Sequence, residues 1–200
     1  MRKLCSALAL LMLLTTTVAF ADDTKPQMSA EEKAAMEAMQ KAMTPGENHK
    51  ILSNMVGSWN AKVSMWMSPE AKPTVSKGTA TNRWIMGNRY VEQKFTGTFM
   101  NMPFSGLGYT GYDNVKKQYW SSWMDNMSTG AMAMTGATDD GGKSWKFTGS
   151  MADPMTGKDA PFEEHVTVKS RNEHTFEMWG PAPDGKMFKM MEIVYTRKKA

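Results

Sequence analysis

The sequence predicts an all-β protein, a closed up-and-down antiparallel barrel of about ten strands that follows an N-terminal helical segment. Two observations support this fold class. After Gly57 the hydrophobic period changes from about 3.6 residues to 2 and does not change back, and turn signals then recur at short intervals. A single sheet of so many strands is expected to curl and close, because closure removes its two unpaired edges.

The first 21 residues are typical of an export signal. Met1-Arg2-Lys3 precedes an apolar stretch that is too short for a membrane anchor, and Ala19-Phe20-Ala21 fits the small-x-small rule for cleavage before Asp22. We therefore expect residues 1–21 to be a signal peptide and the protein to be secreted across the inner membrane into the periplasm. The only cysteine, Cys5, leaves with this segment, which excludes disulfides and thiolate metal sites from the mature chain.

Residues 22–46 are predicted to be a polar leader and a methionine-rich helix. Ser29-Ala-Glu-Glu32 is a capping box, so the helix should begin there and continue to Met43, where Thr44-Pro45-Gly46 ends it. Three methionines at helical spacing form one stripe: Met36, Met39 and Met43. The barrel domain, 47–200, should then open with a second short helix that ends before Gly57.

The ten strands follow from runs of alternating, β-branched and aromatic residues between the turn signals. The first is the clearest, because Trp59, Ala61, Val63 and Met65 alternate with polar residues. Short links between consecutive strands favour antiparallel neighbours throughout. The predicted strands are 57–67, 74–86, 89–100, 104–112, 116–125, 128–138, 143–152, 161–170, 173–180 and 186–197.

Charge and motif content exclude several function classes. The formal charge is +4, but no region concentrates it, so we expect no nucleic-acid partner. No second apolar run is long enough for a transmembrane segment. The run from Gly106 to Gly111 matches G-x-G-x-x-G, but a strand rather than a helix should follow it, which argues against a dinucleotide site. The sequence assigns no catalytic residue, no metal ligand and no cofactor.

Two motifs resemble the lipocalin, or calycin, superfamily. Gly57-Ser58-Trp59 lies at the start of the first predicted strand, and Thr196-Arg197 lies at the end of the last. The resemblance implies that Trp59 packs near the closed end of the barrel with Arg197 across it. A guanidinium over an indole face contributes about 0.5–2 kcal/mol. Trp59 and Arg197 are therefore expected to be structural residues.

A second resemblance covers most of the chain, from Thr44 to Lys198. The sequence is similar to an uncharacterised bacterial family, a domain of unknown function whose fold is thought to be lipocalin-like. No activity is established for that family. The motifs that carry the resemblance are P-G-E-N-H-K (45–50), V-G-S-W (56–59), R-W-I-M-G-N-R-Y (83–90), G-Y-D-N (111–114), D-P-M-T-G-K (153–158) and M-E-I-V-Y-T-R (191–197).

The function predicted from these patterns is binding of a small hydrophobic or amphipathic molecule inside the barrel. Twenty of the 22 methionines lie in the expected mature chain, where leucine and isoleucine are scarce, and this is typical of an adaptable core or pocket lining. Strand parity selects the candidate ligand-binding residues. They are Trp59, Val63, Met65, Met67, Trp84, Phe95, Phe99, Trp123, Met132, Met134, Phe176, Met178, Phe188, Met190 and Glu192.

Several alternatives remain at this point, including a purely structural or interaction role through the N-terminal helix, and the oligomeric state is open. Methionine pairs such as Met65-x-Met67 and Met132-x-Met134 would suit periplasmic Cu(I). An inward histidine would suit haem, and His165 with His174 and Glu164 would suit zinc or iron if the two strands bring them together. An enzyme would use a buried carboxylate, for which the candidate is Glu192 paired with Arg83 or Arg89.

Overall fold

The computed structural model describes residues 28–199 and confirms the predicted fold class. The expected signal peptide lies outside these residues. Ten antiparallel strands form a closed barrel in which each strand pairs with its neighbours in the chain, and β1 also pairs with β10. The strands are β1 Gly57–Met65, β2 Thr74–Ile85, β3 Tyr90–Phe99, β4 Met102–Asp113, β5 Gln118–Asp125, β6 Met132–Ala137, β7 Ser144–Ala152, β8 Asp159–Ser170, β9 Glu173–Pro181 and β10 Met187–Arg197.

The strand ends differ from the predicted ones where turns were misplaced. The β3–β4 link is only Met100-Asn101, and both residues have positive φ angles, 48° and 65°. This is the geometry of a two-residue hairpin turn whose twist matches that of the flanking strands. Met102 and Pro103, which were predicted to belong to the turn, are therefore the first residues of β4.

The methionine-rich helix α1 runs from Ala30 to Met43. The predicted capping box is present, since the Ser29 amide donates to Glu32 Oε2 at 2.7 Å and the Glu32 amide donates to Ser29 Oγ at 3.1 Å. The chain divides into two units between Glu37 and Ala38, within this helix. The three stripe methionines are exposed. Among residues 28–199, no helix has the length and apolar content to cross a bilayer.

Two side chains of the barrel unit bind the last carbonyl groups of α1. Asn114 Nδ2 donates to the carbonyl oxygens of Lys41, Ala42 and Thr44 at 2.8–3.2 Å. Arg89 Nη2 donates to the Met43 carbonyl at 2.7 Å. Carbonyl groups in the last turn of a helix lack partners within the helix, so both side chains cap it.

A short helical segment closes one end of the barrel. It consists of α2, Glu47–Ile51, and a 3₁₀ turn, Leu52–Met55. Leu52 is fully buried in an apolar cluster of the barrel interior, and the Tyr119 hydroxyl donates to the Asn48 carbonyl at 3.0 Å. We call residues 47–55 the helical plug. At the opposite end of the barrel there are only links between strands among the described residues.

Candidate functional site

Trp59 and Arg197 seal the barrel beside the helical plug, in the arrangement that the resemblance implied. Trp59 is completely buried, and its Nε1 donates to the Met55 carbonyl at 3.0 Å. Arg197 Cζ lies 4.1 Å from the centre of the Trp59 ring, and Arg197 Nη1 donates to the Val56 carbonyl at 3.0 Å. The guanidinium therefore joins the end of β10 to the residue that precedes β1.

The barrel contains a cavity of about 410 Å³ above this seal. A volume of this size lies within the roughly 300–1,000 Å³ usual for small-molecule sites. Met65, Phe99, Met127 and Met151 lie at its outer end, where the strand links open to solvent. The other apolar side chains of its wall are Met55, Val63, Val91, Phe95, Phe104, Trp123, Met132, Phe147, Val166, Phe176, Met178, Met191, Ile193 and Tyr195.

Two glycines of the G-x-G-x-x-G run make room for an aromatic side chain in the cavity wall. This run lies wholly within β4, so the structure gives it no helix on which to bind a dinucleotide. A Cβ at Gly106 would overlap the Trp123 ring, and one at Gly108 would lie 3.1 Å from it. The missing side chains let Trp123 lie flat across β4, where its Nε1 donates to Asp125 at 2.9 Å.

Polar side chains lie deep in the cavity among these apolar walls. Glu164 is 6% exposed and His174 is 3% exposed. The His174 ring stacks on Tyr195 with 4.5 Å between ring centres and meets the edge of Trp59 at 4.3 Å. Gln93 and Asn82 also face the cavity. These polar side chains form what we call the polar floor: Asn82, Gln93, Glu164, His174 and Tyr195.

Burial holds the polar floor in its uncharged form. Desolvation raises the pKa of Glu164 to about 8, and within the described residues no partner lowers it. Desolvation, assisted by Arg197, lowers the pKa of His174 to about 4. Burial first, and then the nearby Glu164 carboxyl, raises the pKa of Tyr195. At neutral pH the cavity therefore presents a neutral carboxyl, a neutral imidazole and a phenol.

Because Glu164 keeps its proton in the folded protein at neutral pH, the stability of the fold should depend on pH. The folded protein retains this proton up to about pH 8, whereas the unfolded chain releases it near pH 4.5, so stability falls as pH rises through this interval. His174 acts in the opposite sense, but only between about pH 4 and 6.5. From pH 6.5 to 8, Glu164 should lower the free energy of unfolding by at most about 1.4 kcal/mol per pH unit.

Urea unfolding at pH 6.5 and pH 8 tests this prediction. Glu164→Gln should lose less stability than the wild type over that interval, because its side chain does not titrate. Glu177→Gln, outside the barrel, should behave like the wild type. An equal loss in the wild type and Glu164→Gln would contradict a buried neutral carboxyl at this position.

The structure brings eight of the predicted lumen residues together around the cavity. The eight are Val63, Met65, Phe95, Phe99, Trp123, Met132, Phe176 and Met178. Trp59, Trp84 and Met134 lie inside the barrel but not at the cavity, since they pack in or against the apolar clusters near its closed end. All three lie on the predicted face of the sheet, but they pack into or against the apolar clusters to which Leu52 of the plug and Trp59 of the seal belong.

Four further residues predicted to line the lumen do not line the cavity. Met67 lies beyond the end of β1 and is 78% exposed. In β10 a bulge between Lys189 and Met191 shifts the register, so parity counted from Phe188 fails after it. Neither Phe188 nor Met190 lines the cavity, and Met191 and Ile193 line it instead. Glu192 does not line it either and pairs with Lys189.

The ion pairs also differ from those expected for Glu192. Lys189 bridges Glu192 and Glu177 of β9, and its Nζ lies 3.0 Å from Glu177 Oε1. Arg83 instead pairs with Glu92 at 2.7 Å, and Arg89 caps α1. The deeply buried carboxyl group in the lumen is that of Glu164, which the sequence suggests as a metal ligand and not as a lumen residue. A signal for it exists in the sequence, because Phe162, Glu164 and Val166 share one parity and the two apolar neighbours are buried.

The candidate histidine ligands do not converge. His165 pairs with Glu163 at 3.0 Å and packs on Trp179, whereas His174 faces the cavity, so the two histidines lie on opposite faces of the sheet. Met67 lies beyond the end of β1 and is exposed, so it does not share the cavity with Met65. Within residues 28–199, no three His, Cys, Asp or Glu side chains are grouped to hold a metal ion. His49 is a structural residue whose Nδ1 accepts a hydrogen bond from the Gly46 amide.

Comparisons with known proteins agree with this fold. The crystal structure of Rv2717c from M. tuberculosis aligns with a TM-score of 0.59 and 14% identity, over 78% of this chain and all of that chain. At this identity the likeness shows the fold alone. The redesigned β-barrel b11L5F_LGL aligns with a TM-score of 0.39 and 15% identity, over 74% of this chain and 96% of that one, which is too distant to carry an argument.

The sequence comparisons match the chain to one family model. The model of a family described as "Protein of unknown function (DUF1579)" matches residues 44–197. This match confirms the predicted resemblance to an uncharacterised domain family, over nearly the range marked out by the motifs. No curated protein matches the chain.

Proposed function

This chain belongs to the DUF1579 family of proteins of unknown function, and family membership implies no activity. From the geometry of the site, we propose that the protein binds a small hydrophobic or amphipathic molecule inside the barrel. The observation that carries the proposal is the cavity of about 410 Å³, walled by methionine and aromatic side chains. A concave, mainly apolar site with a few convergent polar groups is the usual form of a small-molecule pocket.

The methionines of the wall suit this role. Seven of them line the cavity: Met55, Met65, Met127, Met132, Met151, Met178 and Met191. Unbranched thioether side chains adapt to the shape of a bound apolar molecule and contact aromatic rings favourably. The barrel supplies the rigid frame, and these side chains supply the adjustable surface.

A variant that fills the cavity tests the proposal. Ser121 of β5 lines it, so Ser121→Phe should place a ring in the space that a ligand would occupy. We expect at least a tenfold loss in the affinity for Nile red, a neutral apolar dye, measured by its fluorescence in a titration. Native mass spectrometry of the wild type, purified without denaturation, should also show retained small molecules.

The matched control is Thr81→Phe. Thr81 is an exposed residue of β2, so the same ring would lie outside the barrel and dye binding should be unchanged. Circular dichroism and thermal unfolding would establish that both variants fold. If a folded wild type does not bind the dye, or if Ser121→Phe binds it as tightly as Thr81→Phe, the proposed site is wrong.

Export is the second part of the proposal. It is supported by the basic, apolar and small-residue pattern of residues 1–21. Mass spectrometry of the protein from fractionated cells should find a chain that begins at Asp22 outside the inner membrane. A full-length chain confined to the cytoplasm would contradict it.

A further inference from the structure

The polar floor contains hydrogen-bonding atoms that lack partners. Among residues 28–199, Asn82 Oδ1 and His174 Nδ1 are buried without a hydrogen bond. The Asn82 amide is oriented by Nδ2, which donates to the Met55 carbonyl at 2.8 Å, so its oxygen is left as an acceptor. Buried polar atoms are normally paired in proteins. Asn82 and His174 are more than nine-tenths buried and face the cavity, as does Glu164, so the missing partners can come from a molecule in the cavity.

The charges around the floor restrict what that molecule can be. The cavity-lining side chains of the described residues include no lysine and no arginine. The titratable side chains that share the cavity with Glu164 are Tyr195 from β10, His174 from β9 and, nearer the mouth, Asp125 from β5, while β7 contributes only Phe147 and Met151. A carboxylate brought to the floor would lose its hydration and meet no cation, which is strongly unfavourable.

A cationic head group is disfavoured for a related reason. The cation would lose its hydration, and it would meet a negative charge on the floor only if Glu164 released its proton. The polar floor has no second carboxylate to pair with it. An uncharged head group requires neither change. A protonated carboxyl group donates one hydrogen bond and accepts others, the Asn82 oxygen accepts, and a neutral imidazole nitrogen does either according to its tautomer.

We propose that the ligand is a neutral amphiphile that enters head first, and that Asn82, Glu164 and His174 bind its uncharged hydrogen-bonding head at the floor of the cavity. This inference rests on the proposed function and narrows its ligand class. It separates the protein from carriers of fatty acids, whose head group is a carboxylate. The apolar tail would lie along the methionine and aromatic wall towards the mouth.

Four ten-carbon compounds that differ only in the head group test the inference. Decan-1-ol, decanamide, decanoate and decylammonium would each compete with Nile red for the full protein at pH 7. The alcohol and the amide should displace the dye at concentrations at least about tenfold lower than the two ions. Displacement by decanoate or decylammonium at equal or lower concentrations would overturn the inference.

Variants of Glu164 locate the head group. Glu164→Gln remains a neutral donor and acceptor, so decanol affinity at pH 7 should stay within about threefold of the wild type, whereas Glu164→Leu should lose about tenfold. Raising the pH from 7 to 9 should weaken decanol binding to the wild type but not to Glu164→Gln. Unchanged binding in Glu164→Leu would show that the head lies elsewhere and would overturn the inference.

The outcomes separate this inference from the proposed function. If Nile red binds but the alcohol and the ions compete equally, only the head-group assignment fails. If neither the dye nor any of the four compounds binds the folded protein, the proposed function fails and this inference fails with it. Glu177→Gln, outside the cavity, should follow the wild type in every titration.

Discussion

Replacing Trp59 by alanine should cost about 3–5 kcal/mol of stability, the range usual for removing a large buried aromatic side chain. The ring is completely buried and contacts both Arg197 and His174. The variant would lose this packing, leave the Met55 carbonyl with one hydrogen bond fewer and remove the surface under the guanidinium. Chemical denaturation followed by circular dichroism measures the change.

Trp66→Ala is the matched comparison. Trp66 follows β1, is only half-buried and lies under the Lys189 ammonium group at 5.4 Å. Its removal should cost about 1 kcal/mol or less, because an exposed cation–π contact is weak. Comparable losses in the two variants would show that Trp59 is not the central residue of the seal.

Gly142→Ala should destabilise the protein by about 2–5 kcal/mol, through two additive causes. The φ angle of Gly142 is +84°, where an L side chain costs about 1–2 kcal/mol. A Cβ there would also overlap Ile51 Cγ2 of the helical plug, and such overpacking adds about 1–3 kcal/mol. The variant should therefore loosen the plug as well as strain the β6–β7 link.

Gly141→Ala separates the two causes. Gly141 also has a positive φ, +70°, but a Cβ there would meet no atom within 4 Å. Its substitution should show only the backbone cost, so the difference between the two variants measures the contact with the plug. Equal unfolding free energies for Gly141→Ala and Gly142→Ala would mean that Ile51 moves aside without loss.

The sequence predicts the barrel well because strand parity and turn residues act locally. The alternation around Trp59 and the capping box at Ser29 are each determined within a few residues, and both are found in the structure. The number of strands follows from the number of turns. The order of pairing follows from the shortness of the links.

The cavity residues were predicted less completely, because the prediction relies on strand parity and fails where that parity is interrupted. The bulge at Met190 inserts one residue into β10, and nothing in the local sequence marks it, so Glu192 was placed inside the barrel and Met191 outside. Met67 was misplaced because β1 ends at Met65. The depth of Trp84 depends on the plug, which comes from a different part of the chain.

The polar floor was missed for another reason. Asn82, Glu164 and His174 are on three different strands, and only closure of the sheet brings them to one cavity. Each one alone, within an alternating strand, resembles an ordinary interruption of the apolar face. That Asn82 Oδ1 and His174 Nδ1 are left without hydrogen bonds is a property of the assembled barrel and has no signature in the local sequence.

The hydrogen bond from Arg197 to Val56 joins residues 141 positions apart, and this spacing constrains the order of folding. Contacts so distant in the chain form slowly, because the intervening loop must be ordered before they are gained. During synthesis, β1 can pair with β10 only after this last strand has emerged, so one edge of β1 stays unpaired until then. A chain truncated before Met187 should therefore expose two such edges, and these are ready templates for aggregation.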